Sequence, residues 1–157
     1  MGSVRPRGVR RRLYVSAESN KEIVRRLGVE PWEGKMGVID EVVSPGYVGH
    51  DPAQPTLQGP DGIKGFITAY LAGFPDGRIA IEEQLAEGDV VATRWTGRGT
   101  HTGELMGIPP TGKQVTVSGI TVSHLENGKV VEEWSNWDTL GMLQQLGVVP
   151  EMAAAPT

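Results

Sequence analysis

The spacing of apolar residues changes once along the chain, and that change limits the folds open to it. Before Asp76, apolar side chains recur every three or four residues, which is the period of a helix that packs on one face. After Asp76, Ile79, Ile81 and Leu85 alternate with polar residues, which is the period of a half-buried strand. Helices followed by strands predict an α+β domain, with the helices on one face of the sheet.

Three helices are predicted before the sheet. The first begins at a cap formed by Ser19 or Asn20, and the second covers residues 36–43. The third covers residues 63–74 and ends at Pro75. Its apolar residues fall on one face, so this helix must lie against an apolar surface. A sheet that curves around it is expected to leave a pocket between the two.

Antiparallel strands are predicted for residues 79–85, 90–100, 113–125 and 130–134, followed by a short helix over 139–146. Asn127-Gly128 gives the strongest hairpin signal, because both positions favour positive φ. If this turn has only two residues, Ser123 lies opposite Glu132. His124 then falls on the face opposite Glu132, Trp134 and Asp138, unless a bulge near Ser135 restores a common face.

Length and charge place further limits on the protein. The 157 residues fit one domain, predicted over 18–150, between a basic flexible arm at 1–17 and a tail at 151–157. The arm contains five arginines, whereas the rest of the chain is acidic, which argues against nucleic-acid binding. Because cysteine is absent, disulfides, a thiol nucleophile and thiolate zinc sites are excluded. No segment resembles a membrane span or a secretory signal, so a cytoplasmic protein is expected.

Three histidines, His50, His101 and His124, are candidates for proton transfer. Each lies near a predicted loop, strand end or glycine, and histidine titrates close to neutral pH. A lone histidine is more often a hydrogen-bonded structural residue. No HxH or HExxH spacing fixes two ligands on one element, so no metal site is predicted.

The segment from Glu132 to Asp138 combines carboxylates with indole rings. If the strand alternation continues, Glu132, Trp134 and Asp138 share a face. An indole that excludes water raises the pKa of a neighbouring carboxyl, which would let Asp138 both accept and give a proton. The alternative is that Asp138 only caps the helix that begins at Thr139.

A series of short motifs resembles the SnoaL-like polyketide cyclase (ester cyclase) family over residues 20–147. The series is specific as a whole, although each motif alone would be weak. In order, the motifs are Gly59-Pro60-Asp61-Gly62-Ile63, Ala72-Gly73-Phe74-Pro75-Asp76, Ala86-Glu87-Gly88-Asp89-Val90-Val91, Gly99-Thr100-His101-Thr102-Gly103, Pro110-Thr111-Gly112-Lys113, Asn127-Gly128-Lys129-Val130 and Trp134…Asp138.

The resemblance implies an NTF2-like cone, in which a curved antiparallel sheet wraps around N-terminal helices and encloses an apolar pocket. It also implies closure of a ring in a hydrophobic polyketide by an intramolecular aldol reaction, without metal or organic cofactor. Asp138 corresponds to the family's acid/base and His124 to its partner. His50 corresponds to a polar position that lines the pocket, and His101 corresponds to a loop histidine; both are candidates for substrate binding.

Other candidates for the pocket wall are aromatic: Trp95, Trp134, Trp137, Phe66 and Tyr70. The expected partner is a small hydrophobic substrate, and the resemblance implies a homodimer or homotetramer. Two alternatives stay open at this point. One is an enzyme that hydrolyses an epoxide or opens it to form a pyran ring, and the other is a non-catalytic binder of small apolar ligands. The interruption of the first helix at Gly28–Gly34 departs from the family pattern and affects the pocket opening.

Overall fold

The computed structural model describes residues 8–153 of the chain. Its first half is mainly helical: α1 covers Gly8–Val29, a 3-10 helix follows at Glu30–Glu33, α2 covers Gly37–Val42 and α3 covers Gly59–Gly73. The last helix, α4, covers Thr139–Gln145. Within residues 8–153, no helix combines the length and apolar character needed to cross a membrane.

Six strands form one sheet. They are β1 (Val43–His50), β2 (Leu57–Gln58), β3 (Arg78–Glu87), β4 (Val90–Thr100), β5 (Gln114–Glu126) and β6 (Lys129–Trp137). Their order is β2-β1-β6-β5-β4-β3. All neighbours are antiparallel except β1 and β6, which run parallel and make the sheet mixed.

The α+β architecture and the switch from helices to strands after Asp76 are confirmed. The start of the first helix is different from the prediction, because α1 already includes residues 8–17 of the predicted arm. Asn20 is not its cap. It is buried inside the helix, and its amide donates hydrogen bonds to the Gly88 carbonyl and to Asp89 in the β3–β4 turn. Residues 1–7 of the arm and 154–157 of the tail lie outside the described residues.

The hairpin at Asn127-Gly128 has the predicted turn, with φ of 50° and 75° at these residues. Its strands are not in strict register, however. Leu125 pairs with Val130 and His124 with Glu132, so Val131 is an extra residue that forms a bulge. The bulge moves Glu133, rather than Glu132, opposite Ser123.

The sheet has two distinct faces. The inner face, which carries Thr93, Thr121, Ser123 and Glu133, is turned toward a cavity and the helices. The outer face carries the alternate residues, among them Leu85, Ile120, His124, Glu132 and Trp134. Two apolar clusters stabilise the inner side. One surrounds Ile39 and Val91, and the other surrounds Leu105 and Met142.

Candidate active site

A cavity of about 210 Å³ lies between the inner face of the sheet and helices α1 and α3. Its wall is largely apolar and includes four of the aromatic residues predicted to form it: Phe66, Tyr70, Trp95 and Trp137. Phe66 and Tyr70 project from one face of α3, which follows from their spacing of four residues. An apolar cavity with a few polar groups is the usual form of a small-molecule site.

The two tryptophans reach the cavity because a glycine separates them. Gly119 on β5 pairs with Trp95 on β4 and with Trp137 on β6. A Cβ atom at position 119 would lie 2.5 Å from the Trp95 ring and 2.7 Å from the Trp137 Cβ. Any larger residue would therefore displace an indole from the wall.

Asp51 is a carboxylate of this wall, placed directly after β1. Trp137 Nε1 donates a hydrogen bond to Asp51 Oδ2 at 3.0 Å, and the Ala53 amide donates to Oδ1 at 2.8 Å. Burial raises the pKa of Asp51, although these hydrogen bonds act in the opposite direction. A half-buried carboxyl whose pKa is raised is a stronger base than an exposed one, so it can remove a proton and later return it.

Glu133 is a second carboxyl on the cavity wall. It accepts hydrogen bonds from Tyr47 Oη at 3.0 Å and from Ser123 Oγ at 2.5 Å. Burial raises the pKa of Glu133, against the lowering effect of these two hydrogen bonds. The parallel pairing of β1 with β6 brings Gly49 beside Glu133, and Asp51 follows two residues later, just past the end of β1.

Asp138, the predicted acid/base, is not part of the cavity lining. Its side chain is exposed, and Oδ1 accepts a hydrogen bond of 2.8 Å from the Gly141 amide. This is the N-cap of α4, so the structure shows the second of the two roles considered for this residue. The cap fits closely because Gly141 has no side chain to contact the carboxylate.

His124, His50 and Trp134 form a cluster on the outer face, away from the cavity. The His50 ring stacks on Trp134 with centroids 5.0 Å apart, and the His124 ring meets Trp134 edge-on at 5.1 Å. His50 Nε2 lies 2.9 Å from Glu132 Oε2, and both side chains are more than one-third exposed. His124 therefore shares a face with Glu132 and Trp134, whereas a strict two-residue turn would have placed it on the opposite face; the bulge that brings them together is at Val131 and not near Ser135.

His101 is fully buried, and it does not line the cavity. The Thr111 amide donates a hydrogen bond to its Nδ1, and the ring packs against Phe74. Nδ1 also lies 3.0 Å from Thr111 Oγ1. These contacts hold the loop after β4, so the geometry of His101 is that of a structural residue. Among the side chains that the structure describes, His, Asp and Glu do not form a cluster of three that could hold a metal ion.

The position of Asp51 can be inferred from the alternation of residues in and just after β1. Tyr47, Gly49 and Asp51 alternate along β1, so a buried Tyr47 places Asp51 on the same side and His50 on the other. Glu133 could not be found in this way, because the bulge at Val131 reverses the alternation expected in β6.

The fold and the cavity together define a small α+β protein with a carboxylate-bearing apolar site. Comparison with known proteins makes this more specific, because the family model for the SnoaL-like polyketide cyclases matches residues 22–146. The chain therefore belongs to the SnoaL-like polyketide cyclase family, as the motif series indicated.

Individual relatives agree with this assignment. The aklanonic acid methyl ester cyclase of Streptomyces peucetius is 29% identical over 133 residues, which cover 80% of this chain and 89% of the relative. A crystal structure assigned as a SnoaL-like polyketide cyclase from Jannaschia sp. CCS1 has a TM-score of 0.78 and 26% identity, covering 95% of this chain and all of that one. IdmH of Streptomyces antibioticus, which is also assigned as a polyketide cyclase, has a TM-score of 0.71 and 32% identity, covering 82% of this chain and 99% of that one.

Proposed function

We propose that this protein closes a ring in a small hydrophobic polyketide by an intramolecular aldol reaction, with Asp51 as the acid/base. The observation that carries the proposal is the position of the Asp51 carboxylate on the wall of an apolar cavity. The family supports a polyketide substrate, and the cyclase of Streptomyces peucetius is named for the methyl ester of aklanonic acid. A role in antibiotic biosynthesis belongs to the same proposal.

The chemistry follows from a single carboxyl. The Asp51 carboxylate removes a proton from the carbon beside a carbonyl, and the resulting enolate carbon attacks a second carbonyl carbon of the same molecule. The new alkoxide then takes the proton back from Asp51. The cavity holds both carbonyls close together, which lowers the entropic part of the barrier. These steps require neither a metal nor an organic cofactor.

Trp137 positions Asp51 in this mechanism. Its indole N–H holds Oδ2 and leaves lone pairs of the carboxylate free for the substrate proton. Because the N–H also favours the charged form, it limits the rise in the pKa of Asp51 that burial causes. The pKa of the base is therefore set by two opposing effects.

The family resemblance assigns acid/base catalysis to Asp138 and His124, and this remains the competing proposal. One experiment separates the two. Turnover of aklanonic acid methyl ester and related tricyclic keto esters is measured for the wild type, Asp51→Asn and Asp138→Asn. Asn keeps the size of the side chain, and it also remains a good helix cap at position 138.

We expect Asp51→Asn to lower kcat by about 10²- to 10⁴-fold, the usual contribution of general acid–base catalysis. Asp138→Asn should leave kcat within about twofold of the wild type, since Asp138 caps α4 and is not among the residues that line the cavity. The reverse pattern would overturn the assignment of Asp51. If the wild type binds these esters without turnover, the protein is a ligand binder.

The outer face is the surface on which we place the predicted homodimer or homotetramer. It exposes Leu85 and Ile120, at 66% and 52%, together with Trp134 at 39%. The oligomer is a prediction from the family resemblance, and the cavity chemistry proposed above does not depend on it.

A further inference from the structure

Two buried tyrosines lie on the cavity wall, and only one of them has a partner for its hydroxyl. Tyr47 on β1 donates to Glu133 Oε1 at 3.0 Å. The Tyr70 hydroxyl on α3 is also buried, and within the described residues it has no hydrogen-bond partner. A buried donor without a partner costs about 1–3 kcal/mol of stability, so its presence calls for an explanation.

The ring of Tyr70 is held in place by its neighbours. Its centroid lies 4.7 Å from that of Phe66 and 5.9 Å from that of Trp137, which it meets edge-on at 79°. Trp137 in turn donates to Asp51. One indole therefore contacts both the tyrosine ring and the carboxylate, and it places both groups in the same part of the cavity wall.

Several uncharged or acidic side chains of the cavity are already hydrogen-bonded to the protein, whereas the Arg98 side chain, also in the lining, is exposed to solvent. Thr121 Oγ1 accepts from Trp95 Nε1 and lies 2.9 Å from Ser135 Oγ. Thr93 accepts a hydrogen bond from Gln84, and Glu133 accepts from Tyr47 and Ser123. The Tyr70 hydroxyl is therefore a free donor near Asp51. Burial and the negative charge of Asp51 raise the pKa of Tyr70, so the hydroxyl keeps its proton.

We propose that the Tyr70 hydroxyl donates a hydrogen bond to the substrate carbonyl oxygen that becomes the enolate oxygen. This inference rests on the function proposed above and adds a second catalytic residue to it. Asp51 takes the proton from carbon, the electron pair moves to the carbonyl oxygen, and Tyr70 stabilises the charge there. When the carbon–carbon bond forms, that oxygen becomes a carbonyl again and Asp51 returns its proton to the new alkoxide.

The proposal also limits the substrate class. The substrate must present an enolisable ketone or keto ester with its carbonyl oxygen toward α3 and its acidic carbon toward Asp51. A donor that is aimed at developing charge in a water-poor site contributes about 10²- to 10³-fold to a rate. The hydroxyl is a poor contributor to stability but is well placed for catalysis.

The test uses 2-naphthol, whose ionised form resembles an enolate and can be followed by its absorbance. Binding is measured in Asp51→Asn, which imitates the protonated carboxyl of the intermediate, and in Asp51→Asn/Tyr70→Phe. Naphthalene, which lacks the oxygen, is the matched control ligand. This assay involves no turnover, so it tests Tyr70 even if the proposed cyclisation is wrong.

We expect the pKa of bound 2-naphthol to be higher by about 2 in the double variant, which corresponds to a 100-fold loss of affinity for the anion relative to the neutral form. Naphthalene should bind equally to both variants. Equal naphthol pKa values, or an equal loss of naphthol and naphthalene binding, would overturn the role of the hydroxyl.

Two further measurements are made with Tyr70→Phe alone. The variant should be as stable as the wild type or more stable, because it removes an unpaired buried donor, whereas Tyr47→Phe should be destabilised. With a substrate that the wild type converts, kcat should fall about 10²- to 10³-fold with little change in KM. A destabilised Tyr70→Phe with normal kcat would show a structural role and contradict the proposal.

Discussion

The two faces of strand β6 carry the same kinds of residue in opposite environments. On the inner face, Glu133 and Trp137 adjoin a cavity, and burial raises the pKa of the glutamate. On the outer face, Glu132 and Trp134 are partly exposed and contact the histidines. The difference shows that residue type alone does not identify the site. Proximity to the cavity distinguishes Glu133, a candidate for catalysis, from Glu132, which forms a partly exposed pair with His50.

The largest effect on stability is expected from a pair of substitutions that replaces one tryptophan on each face of β6 by alanine. Trp137→Ala should lower the free energy of unfolding by about 3 kcal/mol, because it opens a space between Tyr70 and the sheet and removes the donor to Asp51. Trp134→Ala should cost less than about 1 kcal/mol, since the residue is 39% exposed on the outer face. Urea unfolding measures both. Equal losses would mean that the outer cluster contributes as much as the cavity wall.

A smaller, pH-dependent effect is expected from the two adjacent glutamates. Because the pKa of Glu133 is raised in the folded protein, the folded state binds its proton more tightly than the unfolded state does. Stability should therefore fall as pH rises from the ordinary value of 4.5 toward the pKa of the folded protein, by about 1.4 kcal/mol for each pH unit in that interval.

Glu133→Gln should reduce the fall of stability with pH, since Gln does not titrate. The pKa of Asp51 is also raised in the folded protein, so Asp51 should account for the pH dependence that remains. Glu132→Gln is the matched control on the outer face and should leave the slope unchanged. Urea unfolding across a pH series measures the slopes for the wild type and both variants. A slope that Glu133→Gln does not alter would contradict the raised pKa.

The smallest effect is expected at Asp138. Asp138→Ala should cost about 1 kcal/mol of unfolding free energy through loss of the α4 cap, whereas Asp138→Asn should cost little. Thermal unfolding of the two variants checks this difference. If Asp138→Ala were as stable as the wild type but inactive, the cap would be incidental and the family's catalytic assignment would be favoured.

Much of the fold could be predicted because it depends on local patterns. The change of period at Asp76, the Asn127-Gly128 turn and the apolar face of α3 all have short-range causes, and the structure has each of them. The parallel pairing of β1 with β6 joins segments about 80 residues apart, and no local pattern specifies it.

The site was only half predictable for a related reason. Phe66, Tyr70, Trp95 and Trp137 line the cavity wall, because large aromatic residues at regular spacing turn toward the interior. His50, His101 and Trp134 do not line it, and Asp138, which caps α4, is also absent from its lining. Strand alternation determines on which face of the sheet most of these residues lie. A prediction from alternation is wrong where an extra residue, such as Val131, shifts the register.

The bulge at Val131 has a consequence for how such a cavity could change during evolution. If β6 slid by one residue against β5, every side chain beyond the hairpin would exchange sides. Glu132, Trp134 and Asn136 would then enter the interior, while Glu133 and Trp137 would leave it. Loss of the one extra residue at Val131 would thus be enough to present a different set of side chains to this enclosure, with none of those side chains themselves replaced.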